Sequence, residues 1–438
     1  MNRSRPNTLR PSRSYGSSGD LLLRLDSIVN IWLINHYAFP PTEPGGTRHY
    51  SHARELIRRG HDVQIIACSF HHLKRKHMVA LNGRTWLRQV LDEVPFTWIP
   101  ACGYQSNSVA RIANMFQFAG RLGRKDWAAG LHRPDLILGS SPHPFAALAA
   151  ARLAARYRVP FVLEIRDLWP YVLSEVGGYS RYHPFLLLVD GTMRYLYAMA
   201  DRIVMFSRHS TDLLARYGAD RAKIAWIPNG VDLNMNPEPR PAPCDGQFVV
   251  TYLGAHNQWN SLDSILDAAM ILQRDGTKDV LIQLVGDGAE KPRLVERARS
   301  ERIENVRFQE PVPKKKVPHV LHHSNAFIIN NRKDGISRGW MSFQKIYDYL
   351  AAGRPVVFGS CTENDPVREA GAGVTVEADR PDQLAGAIKF LSNQSREQLS
   401  EYGMRGRRYI EERYSIPVLV DRFEALAKEL TGSARHNI

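Results

Sequence analysis

Short runs rich in β-branched and aliphatic residues alternate with longer stretches whose apolar positions recur every three or four residues, and this alternation runs along the chain in two rounds. In the first round the strand-like runs are "IVNIWLIN", "DVQIIAC", "DLILGSS", "PFVLEIRD" and "DRIVMFS". Helical stretches such as "RHYSHARELIRRG" and "PFAALAAARLAARY" separate them. After "IPNGVDL" the pattern breaks at "NMNPEPRPAPCDGQ", a polar, proline-rich stretch that reads as a linker. It then restarts with "FVVTYLG", a helix through "SLDSILDAAMILQRDG", "VLIQLVGDG", "VRFQEPV", "AFIINN" and "RPVVFGS". This predicts an α/β chain of two Rossmann-like, doubly wound domains facing each other across a cleft, over residues 28–235 and 236–415. Residues 1–27 read as a flexible basic tail, and a final helix over 416–438 is left free to pack anywhere, the first domain included.

Composition agrees with a folded two-domain chain. At 438 residues, 44% hydrophobic and 23% charged, the protein has enough apolar material for two cores, which excludes a disordered or fibrous class. Cys68, Cys102, Cys244 and Cys361 show no paired spacing, so neither a disulfide framework nor a zinc site is signalled, and a reducing, cytoplasmic setting fits. No window approaches 18 uninterrupted apolar residues, and the first 27 lack the apolar core of a secretory signal; neither a membrane span nor a leader is expected.

The formal charge of +14 calls for an anionic partner. No nucleic-acid-binding signature accompanies it, so nucleic acid is not expected. Between Lys74 and Lys125 nine Lys or Arg face only Asp92 and Glu93, with Trp86, Phe96, Trp98, Phe116 and Phe118 interleaved. Val109, Ile112, Met115, Phe116, Ala119 and Leu122 recur at helical spacing beside Arg111, Arg121, Arg124 and Lys125. Such a helix suits an anionic membrane surface; it equally suits a core-facing helix with a solvated basic face.

Candidate chemistry sits in the loops at the strand ends. Gly45 and Gly46, at the entry to the first helix, let backbone N–H groups approach an anion or a sugar, or simply make a turn. In the second domain Gly254, Gly286 and Gly288 end strands where a Cβ would obstruct an approaching ligand. Lys345 and Asp348 in "KIYDYLAAGRPVV" share one helix face, so a cation and a hydrogen-bond acceptor can meet one ligand there, or pair with each other.

Five pieces, "PPTEPGGTRHYSHARELIRRGHDV", "EIRDLWP", "WIPNGVDL", "LVGDG" and "KIYDYLAAGRPVV", stand in one order from about Ile28 onward. Together they resemble the retaining glycosyltransferases of family 4, which have the GT-B fold, and most of all bacterial enzymes of O-antigen and capsule assembly of the fucosamine-transferase type. The resemblance implies a nucleotide-diphosphate sugar, UDP-linked by preference, held by the second domain without a metal or other cofactor. It places Gly254, Gly286, Asp287 and Gly288, then Glu310, Arg332, Lys345 and Asp348 on the donor side, with Asp348 accepting hydrogen bonds from the ribose hydroxyls. A lipid-linked or glycan acceptor then faces Gly45, Gly46 and Arg166 at the inner face of the cell membrane.

Asp167 and His143 end first-domain strands facing the cleft. With Lys345 they are the candidates for the chemistry. A histidine titrates near neutrality and suits deprotonation of an acceptor hydroxyl, although a lone histidine in such a loop is also a common structural residue. The chain departs from the family where a donor-contacting Glu is replaced by Trp340, where the "P-S-K" triplet reads Phe343-Gln344-Lys345, and where the Arg and Lys after "Y-x-G" are missing from "GAHNQWNSLD". Charge neutralisation then falls to Lys345, Arg332, Lys333 or Arg338. Three functions are therefore in view: a transferase, a catalytically impaired partner subunit of a polysaccharide assembly complex, and a nucleotide-sugar 2-epimerase.

Overall fold

A computed structural model describes residues 28–436 apart from 44, 107–108, 125, 176–177, 208–209, 236–237, 240–245, 314–315 and 334–343. The basic tail, Lys125, much of the linker, Arg338, Trp340 and Phe343 therefore lie outside the described residues.

The first domain is built on strands β1 (Asn30–Ile34), β2 (Asp62–Cys68), β5 (Leu87–Leu91), β6 (Val94–Ile99), β7 (Leu136–Ser140), β8 (Phe161–Ile165), β9 (Arg202–Met205) and β10 (Ile224–Trp226), with Phe70–His71 (β3) and Lys76–His77 (β4) forming a small separate hairpin. Their order across the sheet is β10-β9-β8-β7-β1-β2-β6-β5, parallel throughout except for the antiparallel pair β5–β6. β1, β7 and β8 are buried on both faces, which is why their sequences run apolar without alternation. Helix α1 (Arg48–Arg58) lies on one face of the sheet, whereas α2 (Val109–Leu122), α3 (Pro144–Tyr157) and α4 (Pro184–Met199) pack on the other, in the core that holds Phe118, Ala150 and Met193.

The second domain carries a six-stranded parallel sheet, β13-β12-β11-β14-β15-β16, made of Phe248–Leu253 (β11), Val280–Val285 (β12), Val306–Gln309 (β13), Ala326–Asn330 (β14), Val356–Gly359 (β15) and Gly373–Val376 (β16). Helix α5 (Gln344–Ala351) runs into β15 through the buried Ala352, Gly353 and Arg354. Tyr349 and Leu350 fill the core beneath it.

The chain crosses between the domains twice, and the crossings are tied together. The Val231 N–H donates to the Tyr414 carbonyl at 2.9 Å and the Ile416 N–H to the Val231 carbonyl at 3.1 Å. Gly230 has to be a glycine here, since a Cβ would lie 2.7 Å from the Tyr414 carbonyl oxygen. The final helix, α6 (Ile416–His436), returns to the first domain, where Leu419, Val420 and Phe423 pack into the core with Ala53 and Leu56 of α1.

Candidate functional site

At the carboxyl ends of the first-domain strands the floor of the cleft is a buried polar network. Glu164, inside the apolar strand β8, accepts from Arg48 Nε at 2.7 Å, His49 Nε2 at 2.7 Å and Ser140 Oγ at 2.7 Å. Asn35 Nδ2 donates to His49 Nδ1 at 3.0 Å, which leaves the histidine proton on Nε2, facing the carboxylate. Burial disfavours the charge on Glu164, yet the His49 ring, the Arg48 guanidinium and their hydrogen bonds outweigh it and hold the carboxyl well below the usual carboxylate range. Arg48 also donates to the carbonyls of Ile227, at 3.0 Å, and Pro228. The start of α1, and with it the Gly45-Gly46 loop, is thereby fastened to the first crossing between domains.

Across the cleft Lys345 is held by its surroundings. Its ammonium donates to Tyr252 Oη at 3.0 Å and Asn260 Oδ1 at 2.9 Å, and lies 5.0 Å from the centre of the Tyr252 ring. Burial lowers its pKa to about 8, so it is mostly protonated at neutral pH yet poorly solvated. No carboxylate pairs with it among the described residues. The Lys345–Asp348 ion pair that the spacing also allowed is thus not formed.

A cavity of about 290 Å³ opens between the domains. Gly45, Gly46 and Arg166 line it from the first domain, Asn229, Gly230 and Asp232 from the crossing, and Gln344 and Asp348 from α5. Arg166 stacks its guanidinium over Phe206 at 4.9 Å, and Asp232 is ion-paired with Arg54. Four residues expected at the site, Gly45, Gly46, Arg166 and Asp348, therefore meet in one space.

Other expected residues are placed differently. His143 is fully buried: its Nε2 is 2.8 Å from Nδ1 of the equally buried His36, and burial pushes its pKa down to about 3. In this structure the ring is closed off from the cleft, against the expectation of a group that deprotonates an acceptor hydroxyl. Asp167 is half-buried behind Arg166; burial raises its pKa, and Arg166 and Arg111 oppose the shift. Gly254 leaves room for Lys345, because a Cβ would stand 2.6 Å from Lys345 Cε. Gly286 and Gly288 serve loop-to-loop packing, since a Cβ on either would collide with the carbonyl of Gly254 or His256. Asp287 is exposed and its carboxylate accepts the Gly288 N–H at 2.8 Å, while Glu310 is paired with Lys291 at 2.8 Å. Arg332 lines a second cavity, of about 280 Å³, with Asn257, Gln258, Arg293 and Asp379.

Helix α2 divides its residues differently from the expectation of a bilayer-facing helix. Met115, Phe118 and Leu122 are core residues, and Arg111 is half-buried beside Tyr37, His143 and Asp167.

The arrangement of two parallel-sheet domains with cleft-facing glycine and acidic loops has close counterparts. A family model described as "Glycosyl transferase 4-like domain" matches residues 45–230, and one described as "Glycosyl transferases group 1" matches residues 247–394. The chain is a family 4-type glycosyltransferase. "Probable glycosyltransferase WbjE" of Pseudomonas aeruginosa is 22% identical over 344 residues, 75% of this chain and 82% of that protein. Among solved structures, the sucrose-phosphate synthase of Thermosynechococcus elongatus matches with a TM-score of 0.70 at 15% identity, over 92% of this chain and all of that one. HepE of Anabaena, in complex with UDP and glucose, matches with a TM-score of 0.62 at 14% identity over the same shares. These likenesses establish the GT-B fold.

In this family 4 glycosyltransferase the residues that sequence reasoning passed over are those that hold others in place. Glu164 carried a signal, as the one acid inside an otherwise apolar strand run. Tyr252 and Asn260 carried none, because their contact with Lys345 spans some 90 residues of sequence and exists only in the folded chain.

Proposed function

We propose that this family 4 glycosyltransferase moves a sugar from a nucleotide-diphosphate donor, UDP-linked by preference, to a lipid-linked or glycan acceptor of a surface polysaccharide, at the cytoplasmic face of the membrane. The observation that carries the reading is the shared cavity. Asp348, suited to accept hydrogen bonds from ribose hydroxyls, lines the same space as the Gly45-Gly46 loop and Arg166 of the opposite domain. Donor-side and acceptor-side groups thus stand within one substrate's reach. The UDP preference is supported by HepE, whose structure holds UDP and glucose, and the polysaccharide role by the similarity to WbjE.

The chemistry follows from charge. Breaking the glycosyl–phosphate bond builds negative charge on the departing diphosphate, and a cation fixed in a poorly solvated place stabilises that charge more than one in water does. Lys345 is such a cation, preset by Tyr252 and Asn260 and one helical turn from Asp348. Asn260 falls in the loop where the family pattern has its own cation, so Lys345 supplies from α5 the charge that this loop lacks. Retention of configuration is carried over from the family resemblance, and transfer is proposed to need no metal.

The test is donor binding and turnover. Purified protein is titrated with UDP-, GDP-, ADP- and dTDP-sugars in EDTA, following melting shifts and nucleotide release, beside Asp348→Ala and Lys345→Ala. One nucleotide family should stabilise and be slowly hydrolysed by the wild type only. If no nucleotide sugar binds, the transferase reading fails, and the change at Trp340 favours a partner-subunit role instead.

A further inference from the structure

Helix α4 is apolar on both of its faces. Val189, Met193 and Leu196 enter the first-domain core, and Leu186 is buried on the same side. Opposite them, Leu187 is 55% exposed, Leu188 49%, Tyr195 46% and Met199 37%. These four, with the exposed Pro184, Gly191 and Ala198, fall on one stripe at helical spacing. The outward side of a surface helix is normally polar, and a contiguous exposed apolar stripe marks a surface that meets something apolar.

The neighbouring elements say what. Helix α3 packs against both α4 and α2, so the three form one layer over the sheet. The narrow outward strip of α3 offers Arg152 and Arg156, and Arg158 follows its end; all three are exposed, and no acidic side chain pairs with them among the described residues. Arg124, just past α2, is exposed as well. At the end of the layer nearest the strands' carboxyl ends, Phe116, itself 44% exposed, packs against Phe145 with ring centres 4.3 Å apart, and Phe145 lies 6.2 Å from Phe185 at the start of α4. The face therefore combines an apolar stripe with unpaired arginines, in a chain whose formal charge is +14.

We propose that the outer face of the α2–α3–α4 layer docks on an anionic lipid bilayer, with the α4 stripe entering the headgroup region and Arg152, Arg156 and Arg158 meeting lipid phosphates. Helix α4, and not the apolar positions of α2, supplies the inserting surface, because α2 spends most of its apolar side chains on the core. The docking rests on the preceding reading only for its purpose, which is to bring the cleft to a lipid-linked acceptor. The α3 arginines also sit where a helix C-terminus favours cations, but that role would not require the apolar stripe beside them.

The test is cosedimentation of the full chain with vesicles of phosphatidylcholine alone and of phosphatidylcholine with phosphatidylglycerol. The wild type should bind the mixed vesicles and not the neutral ones, and binding should weaken with added salt. Leu187→Glu with Leu188→Glu should weaken binding at least tenfold, and Arg152→Gln with Arg156→Gln by roughly fivefold per arginine. Both pairs are exposed, so their thermal melting should match the wild type. Three results overturn the proposal: no binding of the wild type to mixed vesicles, undiminished binding of both variants, or a wild-type dimer that the Leu187/Leu188 variant dissociates, which would make the stripe a contact between copies. Hydrolysis of a soluble donor, measured without vesicles, should be equal in all three proteins. Its loss in the wild type would strike the transferase reading and leave the docking result standing.

Discussion

Gly254→Ala separates the placing of Lys345 from its charge. Gly254 has no left-handed backbone angle, so alanine costs nothing in conformation there. The added Cβ would stand 2.6 Å from Lys345 Cε and 2.9 Å from Nζ, against an ordinary contact of 3.4 Å or more. The flexible side chain has to retreat by about 1 Å, which takes its ammonium out of hydrogen-bond range of Tyr252 and Asn260, now 3.0 and 2.9 Å away. A misplacement of about 1 Å in a positioning group costs on the order of 10²-fold in rate, so donor hydrolysis should fall by about that factor. Folding should lose less than about 1 kcal/mol, because the freed ammonium regains water. The assay is nucleotide release from the preferred donor with thermal melting measured alongside, and Gly386→Ala, on a helix with nothing within 4 Å of the new Cβ, as control. Turnover within twofold of the wild type, or an equal loss in the control, would refute the assignment of Lys345 as a pre-positioned cation.

Four further outcomes are expected. With the Lys345 pKa at about 8, the fraction that is protonated falls about tenfold per unit above that pH, so donor kcat/KM should fall likewise; Lys345→Arg should flatten the profile. Over the same range, from about 8 to the ordinary lysine value of 10.5, the unfolded chain holds a proton that the folded one has released, so this group makes stability rise with pH while donor binding weakens. Glu164→Gln leaves Arg48 buried without its carboxylate and should cost roughly 3–5 kcal/mol at pH 7 by denaturant unfolding. Since the folded pKa lies well below the ordinary value of 4.5, the deficit should hold at full size above that value, shrink as pH falls below it and vanish once the depressed folded value is passed; a loss under about 1 kcal/mol at pH 7 would sink the network's assigned role. Asp348→Asn should raise the donor KM more than it lowers kcat, and an unchanged KM would remove Asp348 from the donor site.

Most of the architecture was legible because buried parallel strands announce themselves as short apolar runs, and the proline-rich break after "IPNGVDL" marks where the pattern restarts. What escaped was the edge. β5 and β6 form a two-residue hairpin turning at Asp92-Glu93, both at positive φ, with none of the glycine or asparagine that usually signals such a turn. Trp86, Phe96 and Trp98 consequently read only as aromatics interleaved in a basic stretch, although Phe96 and Trp98 are core residues of β6. β16, four residues long, fell below the length at which periodicity is informative. Gly45 and Gly46, singled out at the entry to α1, and Asp348, singled out by the helix face it shares with Lys345 and by the family resemblance, line one cavity. The purposes of Gly254, Gly286 and Gly288 were not legible, because a glycine in sequence records that something comes close without recording what. His143 misled for a related reason: a histidine between "SSP" and "PF" has the same one-letter context whether it faces solvent or, as here, sits in the core against His36.

The return of α6 to the first domain also sets an order of assembly during synthesis. Leu419, Val420 and Phe423 complete a core begun by α1 and β2, yet they leave the ribosome only after the whole second domain has been made. At 5–20 residues per second, the gap between Val231 and Ile416 lasts roughly 10 to 40 s. For that interval the nascent first domain carries an uncovered apolar face on α1, waiting for its lid. The second domain, whose sheet and helices are contiguous in the chain, closes its own core in the meantime.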